Sequence, residues 1–294
     1  MDGGDPIDAD EADLLSDAAV ARLRAHPKFR EAVEAFAAAA LAEYDGQDVV
    51  TRWLNRDLGR ASLYLGALLF DSSPEGLTFA RLAQAAEGSG ICSRGRALAF
   101  AQYALAAGRL TLEPPGPEPW ARRRMRVTPE FMHPIRVRMA STLAATAIVG
   151  PEISAALPRL ASDAVVRQAA VALTILLRTR PELNRNTGGP LRQIFASRDG
   201  GMRIIQHLML SQPAERDRLM QTAPLSRAEL SRRYDISRTH VNRLLAEAEA
   251  AGALSLSVGD QVSFSPAFSE EVEAYFAGMI QVNRVIADMS LAAA

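Results

Sequence analysis

The sequence predicts a mainly α-helical fold with two small β-hairpins, laid out as two similar halves. Three observations predict it. Apolar residues recur at spacings of three and four through most of the chain, while β-branched runs are few and short. Two Gly-stopped helical stretches are each followed at once by a short hairpin-like segment. The third is a repeat: Ser93-Arg94 matches Ser237-Arg238, Ala107-Gly108 matches Ala251-Gly252, and Val127-Thr128-Pro129-Glu130-Phe131 matches Phe264-Ser265-Pro266-Ala267-Phe268.

Residues 1–17 hold seven acidic side chains and no basic one, a charge of −7, so the net −1 of the 294-residue chain leaves +6 on residues 18–294. Such an acidic leader reads as a disordered tail over 1–20. A second reading is an intramolecular DNA mimic competing for a basic face. Phe29, Val33, Phe36, Ala37, Ala40 and Leu41 then mark one apolar helix face, and Val49 to Leu69 predicts a second, longer helix.

A helix opens at Leu77 to Leu82, turns through Gly88-Ser89-Gly90-Ile91-Cys92-Ser93, and is followed by another from Arg94 to Ala107. Gly108 stops it, Arg109 to Glu113 leads into a Pro-rich loop, Arg124 to Val127 returns, and Pro134 to Val149 closes the half. Gly150-Pro151 is the best boundary, dividing the chain into units of 21–149 and 150–294.

The second half repeats this order. Ile153 to Leu177 and Leu191 to Leu210 predict two helices around an evident loop, Asn184 to Pro190. Ser226 with Glu229 three residues on forms a capping box, Tyr234 to Ser237 makes a tight turn, and Ser237 caps a helix from Arg238 to Ala251. Gly252 ends that helix, Ala253 to Val258 and Gln261 to Phe264 make the hairpin, and Glu270 to Met289 is the closing helix. Val241, Leu244, Leu245 and Ala248 form an inward stripe, which turns Thr239, Asn242, Arg243 and Ala246 outward.

In this arrangement, helix-turn-helix at about 77–107 and 225–251 with wings at about 109–128 and 253–265, the chain resembles winged helix-turn-helix proteins and, among them, the MarR-like transcriptional regulators. Proteins of that family carry one such unit per chain and work as homodimers. Two units in one chain therefore imply a monomer acting as a pseudodimer, two winged helix-turn-helix domains in pseudo-twofold arrangement. The resemblance covers roughly 75–132 and 223–269. The second wing is short and carries no Arg, which departs from the family's pattern.

Double-stranded DNA is the expected partner. A recognition helix reads base edges from its first turns while wing and preceding helix hold phosphates. In the second half the candidates are Arg238, Thr239, Asn242 and Arg243, with His240 at the edge. Arg forks onto guanine and Asn onto adenine. In the first half Arg94 and Arg96 open the helix, followed outward by Gly95, Leu98, Ala99 and Gln102, a face poor in donors. Arg122, Arg123, Arg124 and Arg126 put four charges on one wing, suited to phosphates or a narrow minor groove. For any single Arg the plainer reading is a solvated surface charge, but four in five residues repel one another without an anion.

Cys92, the sole cysteine, excludes an intrachain disulfide and falls opposite Ile236 in the repeat. Burial as a small hydrophobe is its plain reading, oxidant sensing the alternative. Trp53 reads as core, whereas Trp120 follows a rigid Pro-rich loop and is partly exposed; either leaves room for a small-molecule effector. His26, His133 and His207 stand without metal-ligand spacing, and no cofactor is implied. No phosphate loop, HExxH or GxSxG is present, so an enzyme is not expected. No apolar stretch spans a bilayer and no signal peptide opens the chain, so a cytoplasmic protein of bacterial type is expected. The expected function is a sequence-specific transcriptional regulator reading an imperfect palindrome. The alternatives are a plasmid replication initiator with tandem winged helices and a non-catalytic protein-binding scaffold.

Overall fold

The computed structural model describes residues 16–90, 92–179, 189–257 and 259–292. The acidic stretch up to residue 15, Ile91, Asn184 to Gly188 and Val258 lie outside the described residues.

The first helix, α1 (Asp17–Arg24), begins inside the stretch expected to be a tail, because Ser16 accepts the Ala19 N–H at 3.1 Å and nucleates a turn. Helix α2 (Phe29–Gly46) buries the predicted face, Phe29 to Leu41. The single long helix expected after it is two: α3 (Val49–Leu54) and α4 (Leu58–Asp71). Asp57 explains the break, since its side chain accepts the Arg60 N–H at a fresh helix start, which outweighs continuing the apolar period.

Helices α5 (Phe79–Ser89) and α6 (Arg94–Ala106) flank a turn at Gly90; strands β1 (Leu110–Leu112) and β2 (Met125–Val127) form the first hairpin around a 3-10 turn at Trp120–Arg122. The closing helix α7 (Pro129–Thr146) starts earlier than Pro134, which sits inside it. Pro134 has no N–H for the Glu130 carbonyl, and Arg109 Nη1 donates there instead at 3.0 Å, so the helix continues through the proline.

A 3-10 segment (Pro151–Ala161) containing Pro158 precedes α8 (Asp163–Thr179), where one helix was expected. The next expected helix is likewise split into a π-helical turn (Leu191–Ala196) and α9 (Gly201–Leu210), parted by Gly200 in the left-handed region. Strand β3 (Thr222–Pro224), which the sequence did not suggest, precedes α10 (Arg227–Arg233) and α11 (Arg238–Ala250). Strands β4 (Leu254–Ser257) and β5 (Gln261–Phe264) complete an antiparallel sheet of order β3-β5-β4, and α12 (Pro266–Ala292) closes the fold.

The repeat persists in backbone detail. Leu110 faces Val127 as Leu254 faces Phe264. Arg109 N–H donates to Ala104 as Ala253 N–H does to Ala248, and Thr128 N–H donates to Arg109 as Ser265 N–H does to Ala253. Gly108 and Gly252 both stand at φ 69, the left-handed stop that only glycine adopts without strain. Ser93 and Ser237 cap α6 and α11, accepting from Arg96 and His240. The molecule is thus a mainly helical protein with two small antiparallel β-sheets, an arrangement consistent with a winged-helix fold.

Two apolar cores underlie it, and each draws on both sides of Gly150. One joins α1 and α2 to α9, α11, the second sheet and the start of α12. The other joins α4 to α7 and the first hairpin to the 3-10 segment, α8 and the end of α12 around Val282 to Ala287. Among the described residues no helix is long and apolar enough to cross a membrane.

Candidate nucleic-acid interface

Helix α11 is two-sided. Val241, Leu244, Leu245 and Ala248 are fully covered, as their period predicts, while Arg238, Thr239, Asn242, Arg243 and Ala246 are exposed. Arg238, Thr239 and Asn242 have no polar partner among the described residues. Arg243 is loosely held, its Nε 3.8 Å from Glu247 and its Nη2 3.2 Å from His240 Nδ1. His240 is half-buried, and its Nε2 lies 3.0 Å from the Asp199 carbonyl oxygen. The α11 N-terminus therefore offers an open face of one cation and two neutral hydrogen-bonding side chains, with the partial positive charge of the helix start behind it.

Helix α6 presents less. Gly95, Ala99 and Gln102 are exposed as expected, but Leu98 is half-buried against the core of α4 to α7 rather than outward. Leu98 lies where the α6 surface still meets packed neighbours, and an apolar side chain gains more by covering them. Arg94 is exposed, its guanidinium 5.2 Å from the centre of the Phe79 ring. Arg96 pairs with Asp57 at 3.0 Å.

The wing arginines are mostly satisfied from within. Arg123 donates to the Glu113 carbonyl, Arg124 Nη2 donates to the Pro74 carbonyl at 2.7 Å, and Arg126 lies 3.7 Å from Asp71 and 3.8 Å from Glu113. Carbonyls and carboxylates thus supply the counter-charge that the sequence argument assigned to an external anion. Arg122 alone of the four is exposed without a polar partner among the described residues. Beside it Trp120 is 41% exposed and stacks on buried Phe79, ring centres 5.0 Å apart. Trp53 packs on Tyr103 at 4.4 Å, under the Arg60 guanidinium.

Cys92 is buried in the core of α4 to α7 and the first hairpin, and burial pushes its thiol up from the ordinary range, away from the reactive thiolate. It also borders a cavity of about 150 Å³ with Leu63, Phe70 and Leu82. A larger cavity of about 280 Å³ is walled by Phe36 and Met279 from one core and Tyr64, Met139 and Leu143 from the other, with the Arg138–Glu43 ion pair and Asn283 among its polar groups. Among the described residues no three His, Cys, Asp or Glu side chains group as a metal site.

The residues that no sequence pattern singled out are Arg56, Asp57, Arg60 and Asp199, an ionic cluster joining the loops that precede α4 and α9. Asp57 with Arg60 three residues on is a legible helix start, but Asp199 is distant in sequence and nothing local announces it. Comparison with protein-family models, with curated proteins and with solved structures returned no match.

Proposed function

We propose that this chain is a sequence-specific DNA-binding regulator of transcription, a pseudodimer of two winged helix-turn-helix units related to the MarR-like proteins. Helices α6 and α11 enter successive major grooves of one imperfect palindrome, and the hairpins flank them. The observation that carries this reading is the open α11 face, where Arg238, Thr239 and Asn242 are exposed and free of internal polar partners in the first turns of a capped helix. Arg and Asn at such positions match guanine and adenine edges. The repeat of cap, glycine stop and hairpin supports a twofold relation, and the crossing of both cores over Gly150 supports units that exchange helices as two protomers would.

The two half-sites are unequal in this account. The α11 half is the stricter, because α6 offers Arg94 and Gln102 beside Gly95 and Ala99. Arg122 with Arg123, Arg124 and Arg126 contributes charge at the first wing, chiefly through Arg122. The larger cavity is where a small-molecule effector would sit, the role is non-enzymatic, and the cytoplasm is its place of action. Selection of bound fragments from a random-sequence duplex pool, at two salt concentrations, tests the reading. A single two-part motif with unequal halves is expected; salt-sensitive retention without a motif, or no retention, contradicts it.

A further inference from the structure

The loops that open α4 and α9 meet through a cluster of ion pairs around the covered Asp57 carboxylate. Asp57 caps α4, its carboxylate fully covered, and it pairs with Arg60 at 2.8 Å and with Arg96 of α6 at 3.0 Å. The same Arg60 Nη1 lies 3.4 Å from Asp199, the residue before Gly200 at the start of α9. Asp199 also pairs with Arg56 at 3.1 Å, and its carbonyl oxygen meets His240 of α11 at 3.0 Å. Arg56 Nη2 donates to the Asp235 carbonyl at 2.6 Å, in the turn before α11, and the Gly200 N–H donates to Arg56 O at 3.4 Å.

Arg96 and His240 hold equivalent places in the repeat. Each is the residue whose N–H the capping serine accepts, Ser93 in α6 and Ser237 in α11. Each reaches back to the loop that precedes the next packed helix, Arg96 to Asp57 and His240 to Asp199. Those two loops then clasp one another through Arg56 and Arg60. The first turns of α6 and α11 are therefore joined by one unbroken chain of ionic and hydrogen-bonded contacts.

We propose that Asp57, Asp199, Arg56 and Arg60 form an electrostatic strut that fixes the separation of α6 and α11 and so sets which half-site spacing the chain accepts. The second clause rests on the DNA-binding reading; the first does not. Arg96 and His240 become positioning residues that tie each helix to the strut. A charge held in a covered site by two guanidinium groups has no solvent to replace a lost partner, so removing one charge loosens the whole link.

Asp57→Asn keeps an acceptor for the α4 cap and drops the charge; Asp199→Asn drops the charge at a half-exposed side chain that caps no helix, where folding is less at stake. Spin labels at Gln102→Cys and Ala246→Cys, both exposed positions, in a Cys92→Ala background, report the α6–α11 distance by pulsed electron resonance without DNA. A parallel selection uses duplexes whose two half-sites are separated by gaps of every length around one helical turn. The strut predicts a narrow distance distribution and one preferred gap for the parent, and in both variants a broadened distribution with neighbouring gaps accepted, the half-site sequences unchanged. A distribution that stays narrow in both variants overturns the strut. Broadened distances in a protein that selects no paired sites leave the strut standing, overturn its role in spacing, and remove the DNA reading with it.

Discussion

On the proposed function, neighbouring residues of α11 should separate stability from recognition, and a pair of alanine substitutions reads them apart. Leu245 is 0% exposed among Val241, Leu244 and Ala248, so Leu245→Ala removes apolar atoms from a closed site and leaves a void. Such truncations cost about 2–5 kcal/mol. Asn242, one turn before it, lies on the solvent-facing side of the helix, exposed and without an internal polar partner. Asn242→Ala should alter stability by no more than roughly 0.5 kcal/mol, with a small gain from the better helix propensity of alanine.

On DNA the order reverses. A bidentate Asn–adenine contact contributes about 1–3 kcal/mol of discrimination, or roughly 5- to 150-fold between the preferred base and its replacement. Urea unfolding followed by circular dichroism measures the first quantity. Competition between the selected duplex and versions changed at one base pair measures the second. The reasoning fails if Asn242→Ala unfolds at clearly lower urea, or if its base preference matches the parent's while Arg238→Ala also leaves it intact.

Further outcomes follow from other contacts. Arg122→Ala should lower the salt slope of binding by about one unit, whereas Arg124→Ala, whose guanidinium is already held by the Pro74 carbonyl, should change it less; titrations at several salt concentrations compare them. Cys92 should react with a thiol reagent slowly in the folded protein and fast in urea, because burial both covers the sulfur and holds it protonated; equal rates would reopen the oxidant-sensing reading. Burial depresses the pKa of His207, whose Nδ1 lies 3.1 Å from the Tyr234 hydroxyl. Its folded pKa lies below the unfolded 6.5, so its stabilising contribution is present above pH 6.5 and lost as pH falls through the folded value. Thermal melts across that window should show the loss, and His207→Gln should reduce it.

Much of the fold was legible because its signals are local. Caps at Ser226 and Ser237, glycine stops at Gly108 and Gly252, and the inward stripe from Val241 to Ala248 are each decided within a few residues. The misread elements are those where two local preferences compete. Apolar period ran through Asn55 to Asp57 and through Ser197 to Gly200, yet an aspartate cap and a left-handed glycine broke the helices there. Pro134 pointed to a helix start, but a side-chain donor from Arg109 let the helix run through it.

The site divides in the same way. The open face of α11 was readable from periodicity, whereas the fate of the wing arginines was not. Glu113, Asp71 and the Pro74 carbonyl are brought to them by the hairpin and by α4, which no spacing rule reveals. The ionic link between Asp57 and Asp199 through Arg60 joins residues far apart in sequence, which no local pattern announces.

If one chain reads two half-sites, the mass of the protein–DNA complex is fixed at one chain per duplex. Sedimentation of the purified 31.7 kDa chain with a duplex bearing one selected two-part site should give one chain per duplex, with protection of both halves in a footprint of the same complex. Two chains per duplex, each protecting one half, would contradict the pseudodimer and return the molecule to ordinary dimeric recognition.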